Sequence, residues 1–156
     1  MTNLARKLGY LLLIISAVGC QRESQPQPAP SGWDDIGATA DGQSIQGTWK
    51  QVAGGHPIAV GATWTFAGSE IEFRSASLAQ DQAGGKVTFR LKSSVAPKQI
   101  NWKPVGLRES FAIYSLDGDT LKICVDGNLI SFDRPTEFSA HGTTELLVLK
   151  RQPKQK

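Results

Sequence analysis

Residues 86–92, Lys86-Val87-Thr88-Phe89-Arg90-Leu91-Lys92, alternate polar and apolar without a fault. Side chains of an extended strand point alternately to opposite faces, so Val87, Phe89 and Leu91 share one face and the polar residues the other. The same period of two runs through Thr63-Trp64-Thr65-Phe66 and Glu70-Ile71-Glu72-Phe73-Arg74. It returns where Leu121, Ile123 and Val125 alternate with Lys122, Cys124 and Asp126. Turn signals separate the runs: Ala67-Gly68-Ser69, Gly84-Gly85, Asp117-Gly118-Asp119 and Asp126-Gly127-Asn128. No window carries the period of a long amphipathic helix. The pattern predicts strands over 46–53, 61–67, 70–76, 85–92, 98–103, 110–116, 119–125 and 144–151. Short strands with one wet and one buried face, joined mostly by tight turns, predict an all-β domain: a small eight-stranded antiparallel up-and-down barrel. Such a barrel is filled by its own side chains or holds one small ligand.

The amino terminus follows another pattern. Arg6 and Lys7 precede Leu8–Val18, which carries no charge and is broken only by Gly9 and Ser16. That run is too short to cross a bilayer, which takes about 20 apolar residues, but it fits the apolar core of a secretory signal. Its end, Ala17-Val18-Gly19-Cys20, resembles the bacterial lipobox. The resemblance implies a signal peptide over 1–19, cleavage before Cys20, and acylation of that cysteine. At about 0.8 kcal/mol per buried methylene, several acyl chains make a stable anchor where one is marginal. Gln21, where an Asp would favour inner-membrane retention in Gram-negative sorting, leans towards the outer membrane. From Cys20 to Ser44 the chain holds Pro26, Pro28 and Pro30 and little to bury, so it reads as an extended tether of about 3.1 Å per residue. Trp33 either docks on the domain or stays exposed.

Composition removes several functions. The chain of 156 residues has two cysteines, too few for a disulfide scaffold, and two histidines with no Cys/His cluster to bind zinc. Lys and Arg exceed Asp and Glu by three, and removal of Arg6 and Lys7 with the signal cuts the excess to one. No basic run remains to bind nucleic acid. No cofactor motif stands out, and the sequence leaves the oligomeric state open.

The domain over 45–151 carries residues of a known kind. Gly47-Thr48-Trp49 at the first strand resembles the Gly-X-Trp signature of lipocalins, and Arg151 at the end of the last strand matches their terminal arginine. The resemblance implies that Arg151 lies over the Trp49 ring and closes the barrel, a cation–aromatic contact of about 0.5–2 kcal/mol. Further segments occur in order: Ala96-Pro97-Lys98-Gln99-Ile100, the block from Ala112-Ile113-Tyr114 through Asp117-Gly118-Asp119-Thr120-Leu121-Lys122-Ile123-Cys124, and Arg134-Pro135-Thr136-Glu137-Phe138. Together they resemble a lipocalin-like domain family expanded in planctomycete bacteria, which implies the barrel fold (calycin-type) and an envelope setting but no activity. The segment 78–85 and Trp102 do not map onto that family, and 152–156 form a tail.

Trp64, Phe66, Phe89, Trp102 and Phe111 are the candidate ligand-lining residues, with Leu91 and Ile100 beside them. Native packing density favours a filled interior, whereas three large indoles within the domain are difficult to pack without gaps. Cys124 reads as a buried structural thiol, and His56 and His141 as solvated turn residues. Asp117-Gly118-Asp119 lacks the spaced carboxylates of a calcium loop and reads as a hairpin turn. Arg134–Phe138 is either a lock holding its loop to the barrel or a binding lip, and local contacts favour the lock. No nucleophile–base pair or carboxylate pair indicates an enzyme. The expectation is a membrane-anchored envelope lipoprotein whose barrel binds a small apolar or amphipathic ligand. The alternative is a solid structural or protein-interaction module.

Overall fold

The computed structural model describes residues 32–55, 60–75, 84–104, 108–127 and 133–153. The expected signal peptide, Cys20, the first part of the tether, His56 and the tail beyond Pro153 lie outside the described residues. One short helix, α1 (Ala40–Ser44), precedes eight strands: β1 (Gly47–Ala53), β2 (Thr63–Ala67), β3 (Glu70–Arg74), β4 (Gly84–Lys92), β5 (Gln99–Pro104), β6 (Ser110–Asp117), β7 (Thr120–Asp126) and β8 (Thr144–Arg151). Each strand pairs antiparallel with the next, and β8 returns to β1, closing an up-and-down barrel with no free edge. The two-residue period is the cause. In every strand one alternate set of side chains is mainly apolar, and closure turns those sets inward together.

One end of the barrel is sealed by the pair expected from sequence. Trp49 and Arg151 are cross-strand partners, and the guanidinium lies 4.1 Å from the indole centroid. Burying the Trp49 ring leaves its N–H in need of an acceptor, which is the Ile45 carbonyl at 2.8 Å. Arg151 donates from Nη1 to the Gln46 carbonyl at 2.8 Å and from Nη2 to the Ser44 carbonyl, and its Nε forms an ion pair with Asp119 at 3.1 Å. Three consecutive carbonyls at the end of α1 thus receive side-chain donors, where a helix end otherwise leaves acceptors unsatisfied. Gly47 has φ of 110°, in the left-handed region, and its backbone lies beside the guanidinium. A glycine takes that φ freely and leaves room for Arg151.

Residues 32–44 differ from the extended tether expected there. Thr39 caps α1 by accepting from the Gly42 amide at 3.1 Å. Ile36 packs against the main core, and Trp33 docks flat against Arg90, 4.1 Å from its guanidinium carbon. Asp34 accepts from the Ser93 amide and donates its own amide to the Leu91 carbonyl. Asp41 holds the helix down: it accepts from Lys98 at 2.8 Å and from the buried Tyr114 hydroxyl at 2.6 Å. Burial raises the Asp41 carboxyl, but these two donors and the Lys98 charge outweigh it, and its pKa is lowered. Burial, then the neighbouring carboxylate, pushes the Tyr114 hydroxyl up, so it stays a donor.

Two stability outcomes follow. Trp49→Ala is expected to destabilise the domain by about 3–5 kcal/mol, the range for removing a buried large aromatic, and an unchanged melting temperature would contradict the closure described. Because the folded Asp41 carboxyl titrates below its unfolded value of about 3.9, its stabilisation is complete above that pH and is lost as pH falls through the lower folded value. Melting curves of the native chain and of Asp41→Asn should therefore differ at pH 6 and converge towards pH 2. A difference that persists in acid would assign the effect to packing instead.

Candidate functional site

The interior is not uniform along the barrel axis. Towards the sealed end Trp49, Tyr114, Ile100, Leu121 and Leu149 are fully buried, and Phe66 and Phe89 meet edge to face at 5.3 Å. This half is solid apolar core at ordinary packing density. The two phenylalanines, candidates for ligand lining, belong to it.

Towards the far end the inward positions change character. Trp64 on β2 and Phe73 on β3 are cross-strand partners with ring centroids 5.3 Å apart, and Trp64 meets Trp102 of β5 at 6.4 Å, both edge to face. All three rings are only half-buried. They continue the inward faces that hold Phe66, Ile71 and Ile100 deeper down, so the aromatic wall is the exposed upper course of the core. Trp64 and Trp102 were expected here from sequence; Phe73 was not singled out, although it shares the Ile71 face two residues on.

Polar groups stand across from the rings. Gln51, buried and inward-facing on β1, accepts from Trp64 Nε1 at 3.2 Å and donates to the Gly54 carbonyl at 2.8 Å. Glu145 on β8 pairs with the inward Val125 and alternates with the inward Leu147 and Leu149, so the pleat turns it inward too. A side-chain carbon built on Gly55 would lie 2.8 Å from Leu147 Cδ2, 3.1 Å from Gln51 Nε2 and 3.5 Å from Glu145 Oε2. The Gln51 amide and the Glu145 carboxylate therefore converge at the end of β1, beside an interior leucine.

Phe111 departs from the sequence expectation. Its β6 neighbours Ala112 and Tyr114 face the core, so Phe111 lies on the outer face, 5.4 Å from the Arg134 guanidinium. The connection before β8 covers this outer face. Arg134 donates from Nη1 to the Ala112 carbonyl and from Nη2 to the buried Asn101 side chain at 2.6 Å. Beneath the same connection Ile113 and its partner Cys124 are fully buried, and the Cys124 thiol donates to the Ser139 carbonyl at 3.4 Å. Burial pushes that thiol up, which keeps it protonated and unreactive. Arg134 is thus the lock of the two roles open to it, while Glu137 accepts only from nearby Ser139. Gly118 and Asp119 turn the β6–β7 hairpin, and Asp119 is drawn to Arg151. Among the described residues no group of three or more histidines, cysteines or acids comes together to hold a metal ion.

Comparisons with protein-family models, with curated proteins and with solved structures give no match to this chain. The geometry of the barrel itself is therefore the basis for a functional reading.

Proposed function

We propose that the chain is a lipid-anchored envelope protein whose lipocalin-like barrel takes a small apolar or amphipathic molecule into its far end. The observation that carries the binding reading is the trio Trp64, Phe73 and Trp102: inward-facing rings left half-exposed above a core that is otherwise complete. Half-exposed aromatic surface facing inward gains the hydrophobic free energy of any apolar body laid against it, about 25 cal/mol per Å² removed from water. The anchor reading rests on the lipobox pattern at Ala17-Val18-Gly19-Cys20 and on the basic and apolar run before it. The described chain begins at the sealed end, where Gly32 lies beside Lys92. A tether entering there leaves the aromatic end pointing away from the point of attachment, with the outer membrane as the favoured site. An envelope setting also agrees with the resemblance to the planctomycete lipocalin-like family.

Two experiments test the two halves of this reading. On the chain lacking residues 1–20, neutral apolar molecules such as medium-chain alcohols, isoprenoids and aromatic metabolites should shift tryptophan emission in a saturable way. Trp64→Ala and Trp102→Ala should each weaken the effect about tenfold or more, in line with about 1.4 kcal/mol per decade. Emission that responds to none of them would leave the solid interaction module as the better reading. For the anchor, Cys20→Ser should give a precursor that is neither acylated nor cleaved in the bacterial envelope. Normal processing and salt-resistant membrane partition of that variant would remove the lipoprotein assignment.

A further inference from the structure

The far end of the barrel holds a carboxylate that no described residue neutralises. Glu145 lies on the inward face of β8, is half-buried, and takes part in no hydrogen bond or ion pair. The other described carboxylates near basic residues are paired: Asp41 with Lys98, Glu72 with Arg74, Glu109 with Arg90 and Asp119 with Arg151. Partial burial of an unpaired charge costs free energy that a partner would return. The rings of Trp64, Phe73 and Trp102 line the same end of the interior, and beside the carboxylate stands the Gln51 amide, itself held by Trp64 and Gly54. Aromatic faces attract cations and give nothing to anions.

We propose that the ligand class taken at this end is the cationic amphiphile: an ammonium group at Glu145 joined to an apolar body against the three rings. The inference rests on the reading of the far end as a binding mouth and adds the charge of its occupant. Recognition divides along the strands. β8 supplies the charged side, through the Glu145 carboxylate, while β2, β3 and β5 supply the apolar side. The inward Glu145 carboxylate makes fatty acids the disfavoured class, since a ligand carboxylate would meet like charge in a partly dry site. Arg74 at the strand end of this rim stands on the outward face and is engaged by Glu72, so it does not neutralise Glu145.

The test is isothermal titration calorimetry with three probes of equal chain length, octylamine, octanol and octanoate, on the chain lacking residues 1–20, whose barrel and core lie within 32–153. At pH 7 octylamine should bind about tenfold tighter than octanol, and octanoate more weakly than either. Glu145→Gln should bring octylamine to the level of octanol, and added salt should weaken octylamine more than octanol. Circular dichroism of Glu145→Gln should match the native chain and its melting temperature should be no lower, because no partner is lost and a partly buried charge is removed. Octylamine binding no tighter than octanol, or keeping its advantage in Glu145→Gln, overturns the cationic assignment while octanol binding keeps the mouth. If octanol and octylamine both fail to bind, the mouth itself falls and this inference with it.

Discussion

A barrel of eight short strands depends on one junction, the seam where the first strand meets the last. Every other strand pair is brought together by its own turn or loop, whereas β1 and β8 are separated by the whole domain. Here the seam is fixed by Trp49 and Arg151, which stack at the sealed end and share the carbonyls of Ser44, Ile45 and Gln46 between them. The arrangement joins three elements at one point. Without Arg151 the end of α1 loses its donors; without α1 the guanidinium and the indole N–H have no acceptors. The cost of closing so long a loop is offset where one contact set satisfies helix, first strand and last strand together.

That junction also explains why the two halves of the interior differ. The sealed end is bound on all sides by α1, by the β2–β3 and β6–β7 hairpins, and by the Asp41–Lys98–Tyr114 contacts, so its side chains are fully enclosed. The far end receives longer connections, and beside Val125 and Leu147 its inward side chains include large rings, an amide and a carboxylate. One half holds the fold, and this leaves the other free to carry groups that contribute little to stability.

The strands were legible because alternation and glycine-bearing turns both mark them, and all eight lie within two residues of their expected ends. The closing pair was legible through its signature residues. What escaped has physical causes. Residues 32–44 look too polar to fold, yet Ile36 and Trp33 each find a cover, and the polar side chains of Asp34, Thr39 and Asp41 are spent on backbone and side-chain donors that only the tertiary structure brings near. Phe111 was misplaced because Phe111-Ala112-Ile113-Tyr114 is apolar on both faces. Alternation gives no phase to such a strand. The outer face is apolar because the connection locked by Arg134 lies over it and buries Ile113 and Cys124, a long-range cover that no local pattern announces.

Strand β8 brings these points together. Glu145, Leu147, Leu149 and Arg151 occupy one face at a spacing of two, so the chain places an acid and a base at opposite ends of the same inward row, about 20 Å apart. Both charges stand where the barrel interior meets its ends, the only inward places where a charged group keeps some solvent. Arg151 is consumed by closure: its donors are matched and its face is covered by an indole. Had Glu145 the mirror-image structural role, a donor would be expected against it, as every other engaged acid of the barrel has one. The row thus carries one charge that the fold explains and one that it does not. The rings of Trp64, Phe73 and Trp102 lie at the end where the unexplained charge stands.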